Sequence, residues 1–473
     1  MTAVPSNGVH FIGIGGAGMS AIAKVLIERG VTVSGSDLKW SGAAAMLEAI
    51  GAHVHIGHDA ELIEPGRLVV VSSAIPDSNP EFRRARELGL RIMSRGEALA
   101  EVLEGSRAIV VAGTHGKTTT TSMIVTILRA AGLDPTYLIG AGLNDAGTNA
   151  RTGRGEFAVA ESDESDGSFL LLTPDIAVVT NLEIDHVDYW DSIDSLRAAF
   201  ARFMARVPDG GTVVVPSTDV RLVELAGQAH RRVITFDGDG DVIASGIDLA
   251  VNGVQFLLEC GVESVPVGLR VPGRHNVANA LAAAAACVHA GVPLDEVGAG
   301  LGTYRGVERR FDLRGEVAGV TVIDDYAHHP TEVRATLAAA RPGPWRRVLA
   351  VFQPHRYSRT AALAGEFGGS FADADRIIVT EVYGAGEDAV PGVTGKLVAD
   401  AIGATLPGRP IAYLPHRSEL LDYLAYAARP GDAVITLGAG DVSTVGDELL
   451  ARLGARPALP PAAAAGRARG EPR

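Results

Sequence analysis

The sequence has few cysteines, no basic block and no long apolar segment. Cys260 and Cys287 are its two cysteines; they cannot build a disulfide framework and lie in no metal-binding spacing, so we expect structural thiols in a reducing cytoplasm. The net charge of −14 argues against nucleic acid or an anionic membrane as the main partner. No apolar run reaches ~18 residues, so we expect no membrane span. The first eight residues show no signal-peptide pattern.

The most informative segment is residues 112–120, Ala-Gly-Thr-His-Gly-Lys-Thr-Thr-Thr, which joins an apolar strand pattern at 107–111 to a helical pattern at 119–131. We call it the phosphate loop. Its glycines let backbone N–H groups approach phosphates, Lys117 can reach the terminal phosphates, and the Thr118 hydroxyl can ligate Mg²⁺. The usual motif has a glycine where this chain has Val111; here the glycine comes two places later, at Gly113. The segment predicts nucleoside triphosphate binding, the alternative being a glycine-rich turn without a ligand.

A second glycine turn lies near the N-terminus. Gly13, Gly15 and Gly18 follow a strand pattern and fit G-x-G-x-x-G. The acidic Asp37 comes ~20 positions later, as in dinucleotide-binding folds. Taken alone, this pattern predicts NAD. The same geometry serves any diphosphate laid on a helix N-terminus, so a nucleotide-linked compound is the other reading.

Two acidic clusters follow predicted strands of the central region. Residues 161–166 (Glu-Ser-Asp-Glu-Ser-Asp) follow the strand pattern at 157–160, and residues 181–186 (Asn-Leu-Glu-Ile-Asp-His) follow the pattern at 176–180. Ligands of open α/β sheets gather at the C-terminal strand ends, so we expect both clusters to share a crevice with the phosphate loop. Hard oxygen ligands beside nucleotide phosphates indicate Mg²⁺. The alternative is that these carboxylates only cap strand ends and solvated turns.

Polar residues also follow the predicted strands of the C-terminal region. Residues 324–330 and 353–360 stand at two such strand ends, where we expect them to share one rim of the sheet. Three cations of the second stretch suit the binding of carboxylates: His355, Arg356 and Arg359.

An alanine-rich helical pattern precedes this region and begins near two asparagines. Asn276 and Asn279 lie three apart, on one face of the predicted helix, although an asparagine there could be only an N-cap. No Cys–His or Ser–His–Asp arrangement stands out as a nucleophile system. A triphosphate loop, a metal site and a cationic rim together favour phosphoryl transfer to a bound acceptor.

The length of 473 residues predicts about three domains at ~150 residues each. Strand and helix patterns alternate along the chain, so we expect an α/β protein. The N-terminal domain, 1–106, should be Rossmann-like, and the C-terminal domain, 309–456, likewise. The central domain, 107–308, should be P-loop ATPase-like, with a mostly parallel sheet and a small antiparallel meander at about 237–271. Residues 457–473 lack periodicity and predict a disordered tail.

Several stretches together resemble the Mur ligase family, in order and spacing, over about residues 8–455: 10–20, the phosphate loop, 181–186, 275–279, 309–330 and 353–360. The resemblance implies that ATP and Mg²⁺ activate the carboxylate of UDP-N-acetylmuramate as an acyl phosphate, which the amine of L-alanine then attacks. It implies that the C-terminal domain closes on ATP. We expect a monomer or a homodimer. The alternatives are another amino-acid ligase of this family, an NAD-dependent oxidoreductase and a non-catalytic ATP-gated binding protein.

The resemblance also implies roles for individual residues. It implies binding of the UDP-linked substrate by Gly15, Gly16, Ala17, Gly18, Met19, Ser20, Asp37, His58 and Ser73. It implies ATP binding by Gly113, Thr114, His115, Gly116, Lys117, Thr118, Thr119, Asn276, Asn279, Arg310, Asp325 and Tyr326. It implies catalytic roles for Lys117, His186, His328, His355, Arg356 and Arg359. It implies metal ligation by Thr118, Glu161 and His186.

Overall fold

The structure, a computed structural model, describes residues 7–145, 147–185 and 189–455. The predicted metal ligand His186 and the predicted tail at 457–473 lie outside the described residues. Three β-sheets of five, ten and six strands organise the chain, and helices connect most of their parallel strands. The predicted α/β fold is confirmed.

The N-terminal sheet is parallel throughout, in the order β3-β2-β1-β4-β5. Its central strand, Val-His-Phe-Ile, is buried along its whole length, as expected for a parallel strand covered on both faces. The strands are β1 Val9–Ile12, β2 Val33–Asp37, β3 His53–Ile56, β4 Leu68–Val71 and β5 Ile92–Ser94. The helices are α1 Ala17–Glu28, α2 Gly42–Ala49, α3 Pro80–Glu87 and α4 Arg95–Leu103.

The central sheet has the order β15-β14-β13-β12-β11-β10-β6-β9-β7-β8. Its strands are β6 Arg107–Ala112, β7 Thr136–Leu138, β8 Ala150–Arg151, β9 Phe157–Glu161, β10 Ile176–Val179, β11 Thr212–Pro216, β12 Arg232–Phe236, β13 Val242–Ala250, β14 Gly253–Cys260 and β15 Glu263–Leu269. Its helices are α5 Lys117–Ala130, α6 Ile193–Ala205, α7 Val220–Gln228, α8 Arg274–Ala290 and α9 Leu294–Thr303. The meander β13–β15 continues this sheet, because β13 pairs with β12 through Phe236 and Val242.

The C-terminal sheet has the order β16-β17-β21-β18-β19-β20. All its pairs are parallel except the edge pair β16–β17. Its strands are β16 Asp312–Val317, β17 Val320–Asp325, β18 Arg347–Phe352, β19 Arg376–Val379, β20 Ile411–Tyr413 and β21 Asp432–Leu437. Its helices are α10 Pro330–Ala340, α11 Tyr357–Phe367, α12 Gly395–Thr405, α13 Arg417–Ala427 and α14 Ser443–Gly454. Among the described residues, no helix has both the length and the apolar character needed to cross a membrane.

Candidate active site

The phosphate loop connects β6 to α5 and requires glycine at two positions. Gly113 has φ +129° and Gly116 has φ +77°, values that side-chain-bearing residues rarely adopt. A Cβ at Gly113 would collide with the Thr180 hydroxyl, and a Cβ at Gly116 would collide with Asn279 Oδ1. Gly116 is the N-cap of α5, and no described side chain caps it. The first-turn N–H groups of α5 are therefore available to an anion.

Lys117 lies at the first position of α5 and is held by the loop itself. Its Nζ donates to the carbonyl of Gly113 at 2.6 Å and to Glu164 Oε2 at 2.8 Å, and it lies 3.5 Å from Asp163 Oδ1. Burial alone would lower the pKa of Lys117, but the two carboxylates outweigh burial and raise it, so the amine is charged. Burial raises the pKa of Glu164 to about 7, although Lys117 opposes the change.

The residues at the end of β9 fit a magnesium ion. Glu161 Oε2 is buried and has no hydrogen-bond partner among the described residues, a costly state that a cation would relieve. Its other oxygen, Oε1, occupies space that a Cβ at Gly140 would fill. Burial raises the Glu161 pKa, and a hydrogen bond from the Thr118 hydroxyl opposes that change. A carboxylate and a hydroxyl are the hard oxygen ligands that Mg²⁺ prefers.

A cavity of about 210 Å³ continues from the phosphate loop between the central and C-terminal domains. Asn276 and Asn279 line it from α8, and Arg310 and Asp325 line it from the C-terminal domain. The N-cap of α8 is Gly273, so the reading of Asn276 as only an N-cap is wrong. Instead, Asn276 Nδ2 donates to the carbonyl of Pro272, and Asn276 Oδ1 accepts from Asn279 Nδ2 at 3.2 Å.

The main cavity, of about 510 Å³, brings together predicted site residues from all three domains. Those lining it are Ala17, Thr114, His115, Gly116, Lys117, Thr118, Glu161, Arg310, Tyr326, His328, His355, Arg356 and Arg359. Ala17 belongs to the N-terminal glycine turn, so the proposed diphosphate site opens onto the phosphate loop. The cavity can therefore hold reactants bound by different domains side by side.

Two histidines of the C-terminal rim are neutral at physiological pH. Burial lowers the pKa of His328 to about 4. Burial, together with His328 and Arg359, lowers the pKa of His355 to about 3. Their ring centroids are 5.7 Å apart, and Arg359 Nη1 lies 3.2 Å from His355 Nδ1. Neutral imidazoles beside a guanidinium can bind a carboxylate and accept a hydrogen bond from an amine. Arg356, which precedes α11, is held at φ +68°, a strained backbone conformation at the cavity wall.

The predicted diphosphate site is a tight glycine turn between β1 and α1. Gly13 has φ +85°, and the Gly15 N–H donates to Asp37 Oδ2 at 2.9 Å. Met19 and Ser20 are buried in the first turn of α1. A Cβ at Gly18 would crowd the Arg95 side chain, whereas a Cβ at Gly16 would make only ordinary contacts. The other two predicted residues lie elsewhere: Ser73 lines a neighbouring cavity with Arg95, and His58 Nδ1 contacts Glu81 Oε1 at 2.8 Å.

Three carboxylates join the central and C-terminal domains, a role that was not predicted from the sequence. Arg359 forms two bonds to Asp185, and the Thr331 hydroxyl donates to Glu183 Oε2 at 2.7 Å. His115 lies 3.5 Å from Glu183 and 3.4 Å from Glu332. Asp185 and Glu183 belong to an acidic cluster that the sequence singled out as a group. Glu332 could have been found as the acidic residue three positions after His329, the spacing of a capping box.

Comparison with known proteins covers all three domains. Residues 8–107 match the Mur ligase family catalytic domain, residues 111–287 the Mur ligase middle domain, and residues 309–440 the glutamate ligase domain of Mur ligases. The chain is 49% identical over 447 residues to the UDP-N-acetylmuramate–L-alanine ligase of Rubrobacter xylanophilus, covering 94% of this chain and 100% of that protein. It is 46% identical over 453 residues to the enzyme of the same name from Pelotomaculum thermopropionicum, covering 94% and 97%.

The solved structures that the chain resembles also include ligases of this kind. The chain resembles the UDP-N-acetylmuramate-alanine ligase of Thermotoga maritima, with a TM-score of 0.80 and 30% identity, covering 94% of this chain and 98% of that one. It also resembles a murein peptide ligase from Psychrobacter arcticus, with a TM-score of 0.71 and 26% identity, covering 95% and 99%. These matches extend over every domain whose residues meet at the main cavity, and the chain accordingly belongs to the Mur ligase family.

Proposed function

We propose that this chain catalyses the ATP-dependent ligation of L-alanine to the carboxylate of UDP-N-acetylmuramate, a step in the cytoplasmic synthesis of peptidoglycan precursors. One observation carries the proposal: residues of the N-terminal glycine turn, the phosphate loop and the C-terminal rim line a single cavity. Such a cavity suits a nucleotide-linked acceptor, a triphosphate and an amino acid. The names of the relatives with 46% and 49% identity support the choice of substrates.

The reaction must activate a carboxylate, which is a poor electrophile. A carboxylate oxygen of the acceptor attacks the γ-phosphorus of ATP, forming an acyl phosphate and releasing ADP. The amine nitrogen of L-alanine then attacks the acyl carbon, and the tetrahedral intermediate expels phosphate and leaves an amide. Positioning and charge neutralisation supply most of the catalysis in such transfers.

In this proposal the phosphate loop binds the triphosphate through the N-terminal N–H groups of α5, and Lys117 binds the terminal phosphates. Thr118 and Glu161, with His186 as a further predicted ligand, would hold Mg²⁺, which would neutralise phosphate charge. Arg310 would contact the γ-phosphate from the C-terminal domain. Residues 1–106 would bind the UDP moiety, 107–308 ATP, and 309–456 the amino acid.

The C-terminal rim would bind L-alanine and the reacting carboxylate. His328 and His355 are neutral, so they can accept hydrogen bonds from an amine without repelling it electrostatically. Arg356 and Arg359 can neutralise carboxylates. Closure of this domain would exclude water, which would otherwise hydrolyse an acyl phosphate.

Phosphate release with ATP, Mg²⁺ and UDP-N-acetylmuramate, measured with and without L-alanine, tests the proposal. We expect release only when both the acceptor and L-alanine are present. Release with glycine, L-serine or a peptide in preference to L-alanine would keep the family and change the amino-acid substrate. No release with any pairing, together with tight binding of NADH in a calorimetric titration, would favour a dinucleotide-dependent enzyme instead.

A further inference from the structure

The two carboxylate oxygens of Glu332 have different neighbours. One contacts the start of its own helix, and the other contacts a residue across the domain boundary. Glu332 is the third residue of α10, and its Oε2 accepts from the backbone N–H groups of His328 and His329 at 3.0 and 3.3 Å. These bonds complete a capping box at the start of α10. Oε2 also lies 3.3 Å from His328 Nδ1, so this oxygen serves the start of α10 within the C-terminal domain, and the side chain is 10% exposed.

The other oxygen, Oε1, faces two cationic groups of the nucleotide site. It lies 3.4 Å from His115 Nδ1, in the phosphate loop, and 3.5 Å from Arg310 Nη1. Arg310 belongs to the C-terminal domain, as Glu332 does, whereas His115 belongs to the central domain. A single buried carboxylate thus connects the loop that would hold ATP to the guanidinium that would meet its γ-phosphate.

The Arg310–Glu332 distance fits a carboxylate that orients the guanidinium without occupying all its donors. At 3.5 Å the Arg310–Glu332 contact is long for a charge-assisted hydrogen bond, so the guanidinium keeps donors for a phosphate. Electrostatic attraction still limits where the guanidinium can lie. In a reaction that depends on placement, an error of about 1 Å costs about a hundredfold in rate.

We propose that Glu332 is a positioning residue of the ligase reaction. It keeps the side chains of His115 and Arg310 correctly placed relative to each other when the C-terminal domain meets the phosphate loop. The proposal rests on the proposed function. In the proposed reaction Glu332 touches no reacting atom; it acts through Arg310 and His115. Its role goes beyond the capping box because the two roles use different oxygens.

Glu332→Gln separates the two roles. The amide oxygen can still cap α10, but the amide nitrogen then faces His115 and Arg310, and all three groups are donors. We expect kcat to fall about tenfold to a hundredfold, with the KM for UDP-N-acetylmuramate changed less than about twofold, in protein that thermal unfolding shows to be folded at the assay temperature. Glu332→Asp keeps the charge on a shorter side chain, so it should recover part of the rate.

The chain offers a matched control. Glu97 is the capping-box residue of α4, where its Oε2 accepts from the Ser94 N–H at 2.7 Å, and it is exposed to solvent. Glu97→Gln changes the same kind of cap without a cationic group of the nucleotide site beside it, and it should leave kcat unchanged. Equal losses in both variants, or an unchanged kcat in Glu332→Gln, would overturn the positioning role.

A double-mutant cycle with Arg310→Lys tests whether Glu332 acts through Arg310. We expect the loss of kcat in the double variant to be smaller than the product of the two single-variant losses, by about fivefold or more. Multiplicative losses would overturn the proposal. Binding of a non-hydrolysable ATP analogue gives a readout that does not depend on the ligase activity: Glu332→Gln should weaken it severalfold, and unchanged binding would overturn the proposal. Absence of wild-type turnover would count against the proposed function alone.

Discussion

Arg359 on α11 and Asp185 in the loop after β10 form a two-bond ion pair between the C-terminal and central domains. The Nε–Oδ1 distance is 2.9 Å, the Nη2–Oδ2 distance is 3.0 Å, and the two residues are only 4% and 5% exposed. The pairing is bidentate, so the guanidinium fixes orientation as well as distance. The same guanidinium reaches His355 at the rim of the main cavity. One side chain therefore takes part both in an interdomain contact and in the proposed amino-acid site.

Replacing Arg359 with lysine tests whether the positive charge alone is enough or whether the two-bond pairing with Asp185 is needed. Lysine keeps the charge but cannot make two parallel bonds, so we expect kcat/KM for L-alanine to fall about a hundredfold. Small-angle scattering with an ATP analogue should show a less compact enzyme than the wild type. Arg409→Lys, at a half-buried position of the same domain that does not line the main cavity, is the control. Activity within about twofold of wild type in Arg359→Lys would contradict this prediction.

The contact between His115 and two carboxylates should make stability depend on pH. Burial would lower the pKa of His115, but hydrogen bonds to and charges on Glu183 and Glu332 raise it from 6.5 to about 9. Because the folded pKa is raised, the contribution of the charged form is complete below about 6.5 and is lost as pH rises through about 9. Thermal unfolding between pH 6.5 and 9.5 should show this loss, and His115→Asn should show a smaller one. Parallel pH curves for the two proteins would contradict the assignment.

Lys117→Met should abolish phosphate release and leave the fold intact. The variant removes the group proposed for the terminal phosphates and leaves Glu164 buried without its cation. Glu164 has a pKa of about 7 even beside Lys117, so in the variant it can take up a proton instead of unfolding the domain. The unfolding temperature should therefore fall more at pH 8 than at pH 6, since a raised pKa favours the folded state at low pH. Lys396→Met, an exposed lysine paired with Asp400, is the control, and phosphate release by Lys117→Met would contradict its role.

Gly116→Ala should weaken ATP binding for two reasons that a second variant can separate. Alanine is strained at φ +77°, and its Cβ would collide with Asn279 Oδ1. Gly132 has a similar φ of +72° with no atom within 4 Å of the Cβ position, so Gly132→Ala reports the backbone strain alone. We expect both variants to lose about 1–2 kcal/mol of stability, and only Gly116→Ala to lose nucleotide affinity. Equal nucleotide affinities in calorimetry would show that the collision does not matter.

Local patterns predicted the elements that carry the site, with small errors at their ends. The strand at 107–111 and the helix that follows it were expected from apolar runs and the glycine loop, but α5 begins at Lys117, two residues before the expected start at Thr119. Helix boundaries depend on capping geometry, and here the cap is a glycine in a left-handed conformation. The edge strand β16 was not predicted, because its residues are half-exposed and lack an apolar run.

By itself, the sequence determined the family, the α/β fold and the phosphate loop, because each depends on residues that are close along the chain. Only the tertiary structure decided which charged groups meet. The residues of the Arg359–Asp185 pair are 174 positions apart, and Glu332 Oε1 lies beside His115 of the central domain. Burial shifts the pKa values of Glu164 and His328, and the paired carboxylates raise the pKa of His115 against its burial. Desolvation and pairing arise only once the domains are packed together, and no local pattern encodes them.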